Sequence, residues 1–162
     1  MKCSLAILLL LISSLNAVRS QKIIKSDTLF SNQTILKIQL NYSNKGLNLQ
    51  TNDSTFIKTQ LIFQNENQYK EIEVSLRARG NFRRKNCFFT PIKMKIKKSA
   101  SVGSIFTGNT SLKIVLPCKN EKDNNDKVIK EFIAYKIYEI LSPFSFKTKR
   151  LLIKLNDQTR RN

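Results

Sequence analysis

Two short stretches of this sequence carry cations at every second position. Arg77 and Arg79 alternate with Leu76 and Ala78, and Lys93, Lys95 and Lys97 alternate with Ile92, Met94 and Ile96. In an extended strand, side chains two apart share a face. Each stretch therefore collects its charges on one side and its apolar groups on the other. If the two strands share a sheet, the cations converge on one surface. The chemistry this serves is anion binding, above all of phosphate, because arginine grips phosphate through two parallel hydrogen bonds and lysine adds a compact positive charge.

The surroundings strengthen that reading. From Val74 to Asn120 there is no acidic residue, while Arg77, Arg79, Arg83, Arg84, Lys85, Lys93, Lys95, Lys97, Lys98, Lys113 and Lys119 all fall within the segment. Such a field attracts phosphate, nucleic acid or acidic protein surfaces. The whole chain has 29 Lys and Arg against 11 Asp and Glu, a formal charge of +18 over 162 residues. Abundant Asn and an excess of Lys over Arg mark an AT-rich coding bias, so lysine counts carry little weight. Lys97 and Lys98 read as an ordinary solvated surface. Codon bias does not explain clustered arginine, and Arg79, Arg83, Lys93 and Lys95 are the candidate nucleotide- or phosphate-binding residues.

Other chemistries are excluded or weak. With no His, the chain can build neither a Ser-His-Asp or Cys-His catalytic site nor a His-ligated metal centre. Asp123 and Asp126 lack the loop length, glycine and closing glutamate of a calcium loop, so no metal site is expected. Glu131 lies off the apolar face of its helix and reads as solvated. Lys136 falls within that face, where it either snorkels or pairs with a carboxylate; snorkelling is the simpler expectation.

The elements that must position the cations follow from periodicity. Residues 28–40 and Thr55 to Phe63 read as strands, with a polar, Asn-rich loop over 41–54 between them. A turn at Asn65 to Gln68 leads into the strictly alternating strand from Tyr69, which Gly80-Asn81 ends. Ile92 to Ile96 and Leu112 to Leu116 form the next hairpin, and Pro117 closes it. A helix starts near Lys127 with Asp126 as its cap, shows an apolar face from Val128 to Leu141, and stops at Pro143. Phe146 to Leu155 is a final strand, followed by a turn at Asn156-Asp157. The fold class is α+β: a twisted antiparallel sheet of about five to seven strands with one main packed helix.

The hairpin also predicts a cross-link. If Lys97 and Ser111 flank its connection, Cys87 and Cys118 fall close together just beyond its open end, and a disulfide between them is expected. The compartment agrees. Lys2 followed by the apolar run Leu5 to Ile12 and small or polar residues to Ser20 matches a secretory signal peptide over residues 1–20. A spanning helix needs about 20 apolar residues, so the run is too short for a membrane anchor. The protein is expected to be secreted or periplasmic, with one domain over 21–157 and a polar tail over 158–162.

Arg79-Gly80-Asn81-Phe82-Arg83-Arg84, Pro91-Ile92-Lys93-Met94-Lys95-Ile96, Leu112-Lys113-Ile114-Val115-Leu116, the helical Lys130-Glu131-Phe132-Ile133-Ala134-Tyr135 and the strand Leu151 to Asn156 occur in that order. Together they resemble the amino-terminal part of the spore-coat protein H (CotH) kinase-like family. The resemblance covers about residues 70–157 and implies an atypical secreted protein kinase using ATP with magnesium or manganese. Arg79, Lys93 and Lys95 would then meet the nucleotide phosphates. The family's metal-binding and catalytic aspartates belong to its carboxy-terminal half, and no position here corresponds to them. The expectation is therefore a truncated phosphate-binding half that transfers no phosphate by itself. The competing expectation is a small secreted basic module for acidic polymers or proteins, without sequence-specific nucleic-acid recognition.

Overall fold

A computed structural model describes residues 28–65, 68–121 and 124–156. The expected leader and polar tail lie outside them. In chain order the elements are α1 (Thr28–Ser31), β1 (Leu36–Asn41), α2 (Asn44–Gln50), β2 (Ile57–Asn65), β3 (Gln68–Ala78), α3 (Asn81–Asn86), β4 (Ile92–Ile96), α4 (Lys98–Ser101), β5 (Ser111–Ile114), α5 (Asn124–Leu141) and β6 (Leu151–Asn156). The strands form one six-stranded sheet in the order β5-β4-β3-β2-β1-β6. No described helix is long and apolar enough to cross a membrane.

Alternation decides which face is the core. Val74, Leu76 and Ala78 of β3, Ile92, Met94 and Ile96 of β4, Leu61 and Phe63 of β2, and Leu36, Ile38 and Leu40 of β1 all point inward and are buried. The registers agree, since Leu76 faces both Ile57 and Met94 while Ile92 faces Ile114. The inner face is closed by Leu29 of α1, Leu47 of α2 and Phe106 from the connection after α4. Phe106 meets Phe63 edge-on, with ring centroids 4.9 Å apart. That geometry adds to the burial of both rings.

Several expectations are corrected. The sheet is mixed rather than antiparallel, because β6 runs parallel to β1 from Leu36↔Leu151 to Asn41↔Asn156. Parallel neighbours need a crossover, and the whole chain from β2 to α5 supplies it. The Asn-rich stretch after β1 is not a loop but contains α2, whose first turn is capped by the Ser43 hydroxyl accepting from the Gly46 N–H at 3.0 Å. Leu47 anchors this weakly helical sequence in the core, a case of packing overriding propensity. Residues 28–40 divide into α1 and β1. The last strand starts at Leu151 and includes Asn156, and β5 ends at Ile114.

The largest correction concerns α5. It begins at Asn124, so Asp126 sits in its first turn, where a carboxylate suits the helix dipole. It is not packed on the sheet through its apolar face. Ile133, Ile137, Ile140 and Leu141 are all exposed, and Asn124 is its one buried residue. The inner sheet face is already covered by α1, α2 and the connection to β5. The outer face is charged and offers an apolar stripe nothing to bury against. Lys136 does not snorkel but pairs with Glu139 at 2.7 Å.

Cys87 and Cys118 are bonded, with their Cα atoms 4.5 Å apart. The link joins the end of α3 to the chain just past β5. It is reinforced by the Phe88 N–H donating to the Cys118 carbonyl at 2.7 Å and by Arg83 Nη2 donating to the Leu116 carbonyl at 2.7 Å. Peptide mapping without reduction is expected to recover Cys87 and Cys118 as one linked pair. The bond spans a sequence separation of 31, and closing a loop of that size contributes about 3–4 kcal/mol. Reduction should lower the urea midpoint accordingly, and an unchanged midpoint would contradict this account.

Candidate functional site: the basic outer face of the sheet

The odd-numbered residues of β3 and β4 point away from the core. Because the core residues fix the register, Arg77 lies directly opposite Lys93, and Lys93 directly opposite Lys113. Three cations thus form a row across three adjacent strands. Like charges facing each other across a ladder are destabilising, by roughly 0.2–1 kcal/mol per pair. A row kept at that cost needs counter-charge. Arg77 has some, because its Nη1 lies 2.7 Å from Asp53 Oδ1. Among the described residues, Lys93 and Lys113 have no carboxylate partner.

Four residues back along β3, past the Ser75↔Lys95 pair, the outward cations do have a carboxylate. Glu73 sits between Lys97 at 2.9 Å and Lys58 at 3.7 Å. The Lys97 ammonium, with Lys58 behind it, holds the Glu73 carboxyl below its ordinary value of 4.5. The outer face therefore has a partly compensated zone around Glu73 and a row in which Arg77 is paired with Asp53 while Lys93 and Lys113 have no carboxylate.

Beyond Arg77 the strand yields to Gly80, at φ 78° and ψ 121°, a backbone that side-chain-bearing residues avoid. The break turns the chain into α3 and brings Arg83 back beside Arg79. The Arg79 N–H still bonds the Pro91 carbonyl at 2.9 Å. Arg79, Arg83, Pro91 and Val115 form one wall of a cleft of about 170 Å³, and Glu131 and Tyr135 of α5 form the other. Glu131 is exposed, in keeping with its place off the apolar helix face, and it also shares this lining with two arginines.

The four predicted residues do not meet at one point. Arg79 and Arg83 share the cleft, and Arg83 also spends a donor on the Leu116 carbonyl. Lys93 lies in the row. Lys95 faces Ser75 and Ser111 and sits with Nζ 4.4 Å from the centre of the Phe56 ring. Arg84 is committed elsewhere: it donates to the Asn48 and Thr51 carbonyls at 2.9 and 2.8 Å, holding the end of α2 against α3. Lys113 and Arg77 complete the row although they are not among the predicted four. The signal for Lys113 is its place between Leu112 and Ile114, the same alternation that singles out Lys93.

Two aromatic rings flank the row. Phe56 lies under Arg77 and Lys95, and Phe146 lies 5.3 Å from Lys113 Nζ. Among the described residues no group of three or more Cys, Asp or Glu side chains could hold a metal ion. No family model, curated protein or solved structure matches this chain.

The charge division has a pH signature. The folded-state value of Glu73 is below its unfolded value, so its contribution to stability is present above about pH 4.5 and is lost as the pH falls through the lowered folded value. Urea unfolding across the acid range should show a component of this loss that Glu73→Gln removes. An identical acid profile for the variant would show that the Lys58–Glu73–Lys97 group does not act as described.

Proposed function

We propose that this protein binds phosphate-bearing polyanions on the outer face of its sheet, with Arg77, Lys93 and Lys113 as the principal contacts and Arg79 at one end. The row itself carries the reading: two of its three cations have no carboxylate partner, and each faces another cation in register. A bound chain of phosphates relieves that repulsion at several positions at once. Shape supports an open surface. Small-molecule pockets usually enclose about 300–1,000 Å³, and the cleft beside Arg79 holds about 170 Å³. That volume suits a single anionic group better than an enclosed nucleotide.

The kinase-like reading is the second one, favoured by the meeting of Arg79, Glu131 and Tyr135 across the cleft. On this reading the chain is an exported, CotH-like phosphate-binding half. It would hold the phosphates of ATP through Arg79, Lys93 and Lys95 without transferring them. Phosphoryl transfer asks for carboxylates to hold the metal and orient the acceptor, and the resemblance supplies no counterparts for them.

Inorganic polyphosphate should bind the purified protein with an affinity that falls steeply with salt. Replacing Arg77, Lys93 and Lys113 together with Gln should flatten the slope of log affinity against log salt by about two, chiefly through Lys93 and Lys113, because Arg77 is already paired with Asp53. The Lys97→Gln, Lys98→Gln pair should leave it nearly unchanged, because Lys97 is already paired with Glu73 and Lys98 belongs to α4, outside the row. Equal losses from both sets would reduce the site to a diffuse basic surface. Incubation with labelled ATP, magnesium or manganese, and acceptor proteins should give no transfer. Metal-dependent labelling abolished by Lys93→Ala would instead favour the kinase reading.

A further inference from the structure

The aromatic rings beside the row specify more than charge. Phe146 is 69% exposed, yet it is held against the end of the row by Lys113. Phe56 holds the opposite end, bridging Arg77 and Lys95. Exposure alone is no signal, since Phe82 and Phe144 are more exposed still. What sets Phe56 and Phe146 apart is that each is in contact with cations of the same outward surface. The order across it is aromatic ring, three cations, aromatic ring.

We propose that this surface binds single-stranded nucleic acid, with phosphates along Arg77, Lys93 and Lys113 and bases stacked on Phe56 and Phe146. The inference rests on the phosphate-binding reading and adds the class of ligand. Neighbouring strands are about 4.8 Å apart, so three cations span about 10 Å, room for consecutive phosphates of an extended strand. Exposed Phe146 offers a base a flat apolar partner and half-buried Phe56 a smaller one, and every base has a π-face, so such stacking tolerates any sequence. Inorganic polyphosphate can satisfy the cations but gives the two rings nothing planar to hold, and an acidic protein offers no regular file of phosphates alternating with flat rings. A duplex hides its bases in its own stack, and a sheet face without a projecting element does not enter its grooves. A free single strand presents both groups at a regular repeat and uses every part of the surface.

Fluorescence anisotropy of the whole chain with a labelled oligothymidylate of about twelve nucleotides tests this. An abasic oligomer of equal length, a duplex and inorganic polyphosphate serve as comparisons. The oligothymidylate should bind at least fivefold more tightly than the abasic oligomer and the duplex. Phe146→Ala should weaken it by about five- to tenfold while changing polyphosphate binding less than about twofold, and Phe146→Tyr should restore it. Lys93→Gln should weaken both ligands. Oligothymidylate binding no tighter than abasic binding, or insensitive to Phe146→Ala, overturns the nucleic-acid assignment and leaves phosphate binding standing. Failure of polyphosphate and oligothymidylate alike overturns both. The comparison with the abasic oligomer uses the unaltered protein and decides the matter even if a variant folds poorly.

Discussion

The register between β3, β4 and β5 is the constraint on which the rest of this structure depends. A slip of one residue would turn Leu76, Met94 and Ile114 to solvent, and burial forbids it. A slip of two would keep the apolar face inward and would be invisible to the hydrophobic pattern. What excludes it lies at the open end of the hairpin. The Cys87–Cys118 bond, the Phe88-to-Cys118 hydrogen bond and the Arg79-to-Pro91 hydrogen bond fix the strands in one alignment. That alignment places Arg77, Lys93 and Lys113 side by side. The covalent link is therefore an electrostatic device as well as a structural one, because it keeps like charges adjacent that would separate if the strands were free to slide.

The two faces of the sheet are finished to different standards. Inside, every strand contributes side chains to a core closed by short helices and Phe106. Outside, charge takes the place of packing, and the long helix α5 stands off with all four of its isoleucines exposed. An apolar helix and a charged sheet gain little from each other. The two approach at the cleft, which Glu131 and Tyr135 line together with Arg79 and Arg83. Charged and aromatic side chains share that lining with Pro91 and Val115.

Much of this was legible in the sequence, and the boundary between what was and was not has a physical cause. Period-two alternation identified β3 and β4 and their outward cations, because each strand is buried on one face only. The disulfide was legible because a hairpin register extrapolates along the chain. Helix α2 was not, since Asn44 to Gln50 has poor helical propensity and depends on Leu47 finding the core. The parallel partnership of β1 and β6 was not, because no local pattern records which distant strand lies alongside. The row was half visible: the alternation of Arg77 and Lys93 is local, but their alignment with Lys113 is a property of the register. For α5 the apolar face was real, and its exposure follows from what covers the opposite side of the sheet.

The pairing of β1 with β6 has a consequence in time. Leu36 is joined by Leu151, about 115 residues later, and contacts of such separation form slowly because loop entropy is lost before they reward it. A ribosome releases the chain from its amino-terminal end, so β1 emerges long before the strand that flanks it. Throughout that interval Leu36, Ile38 and Leu40 present a half-made sheet with one open margin. Until β6 is made, that margin is a strand edge open to pairing with other chains, and its closure is among the last steps in completing the sheet.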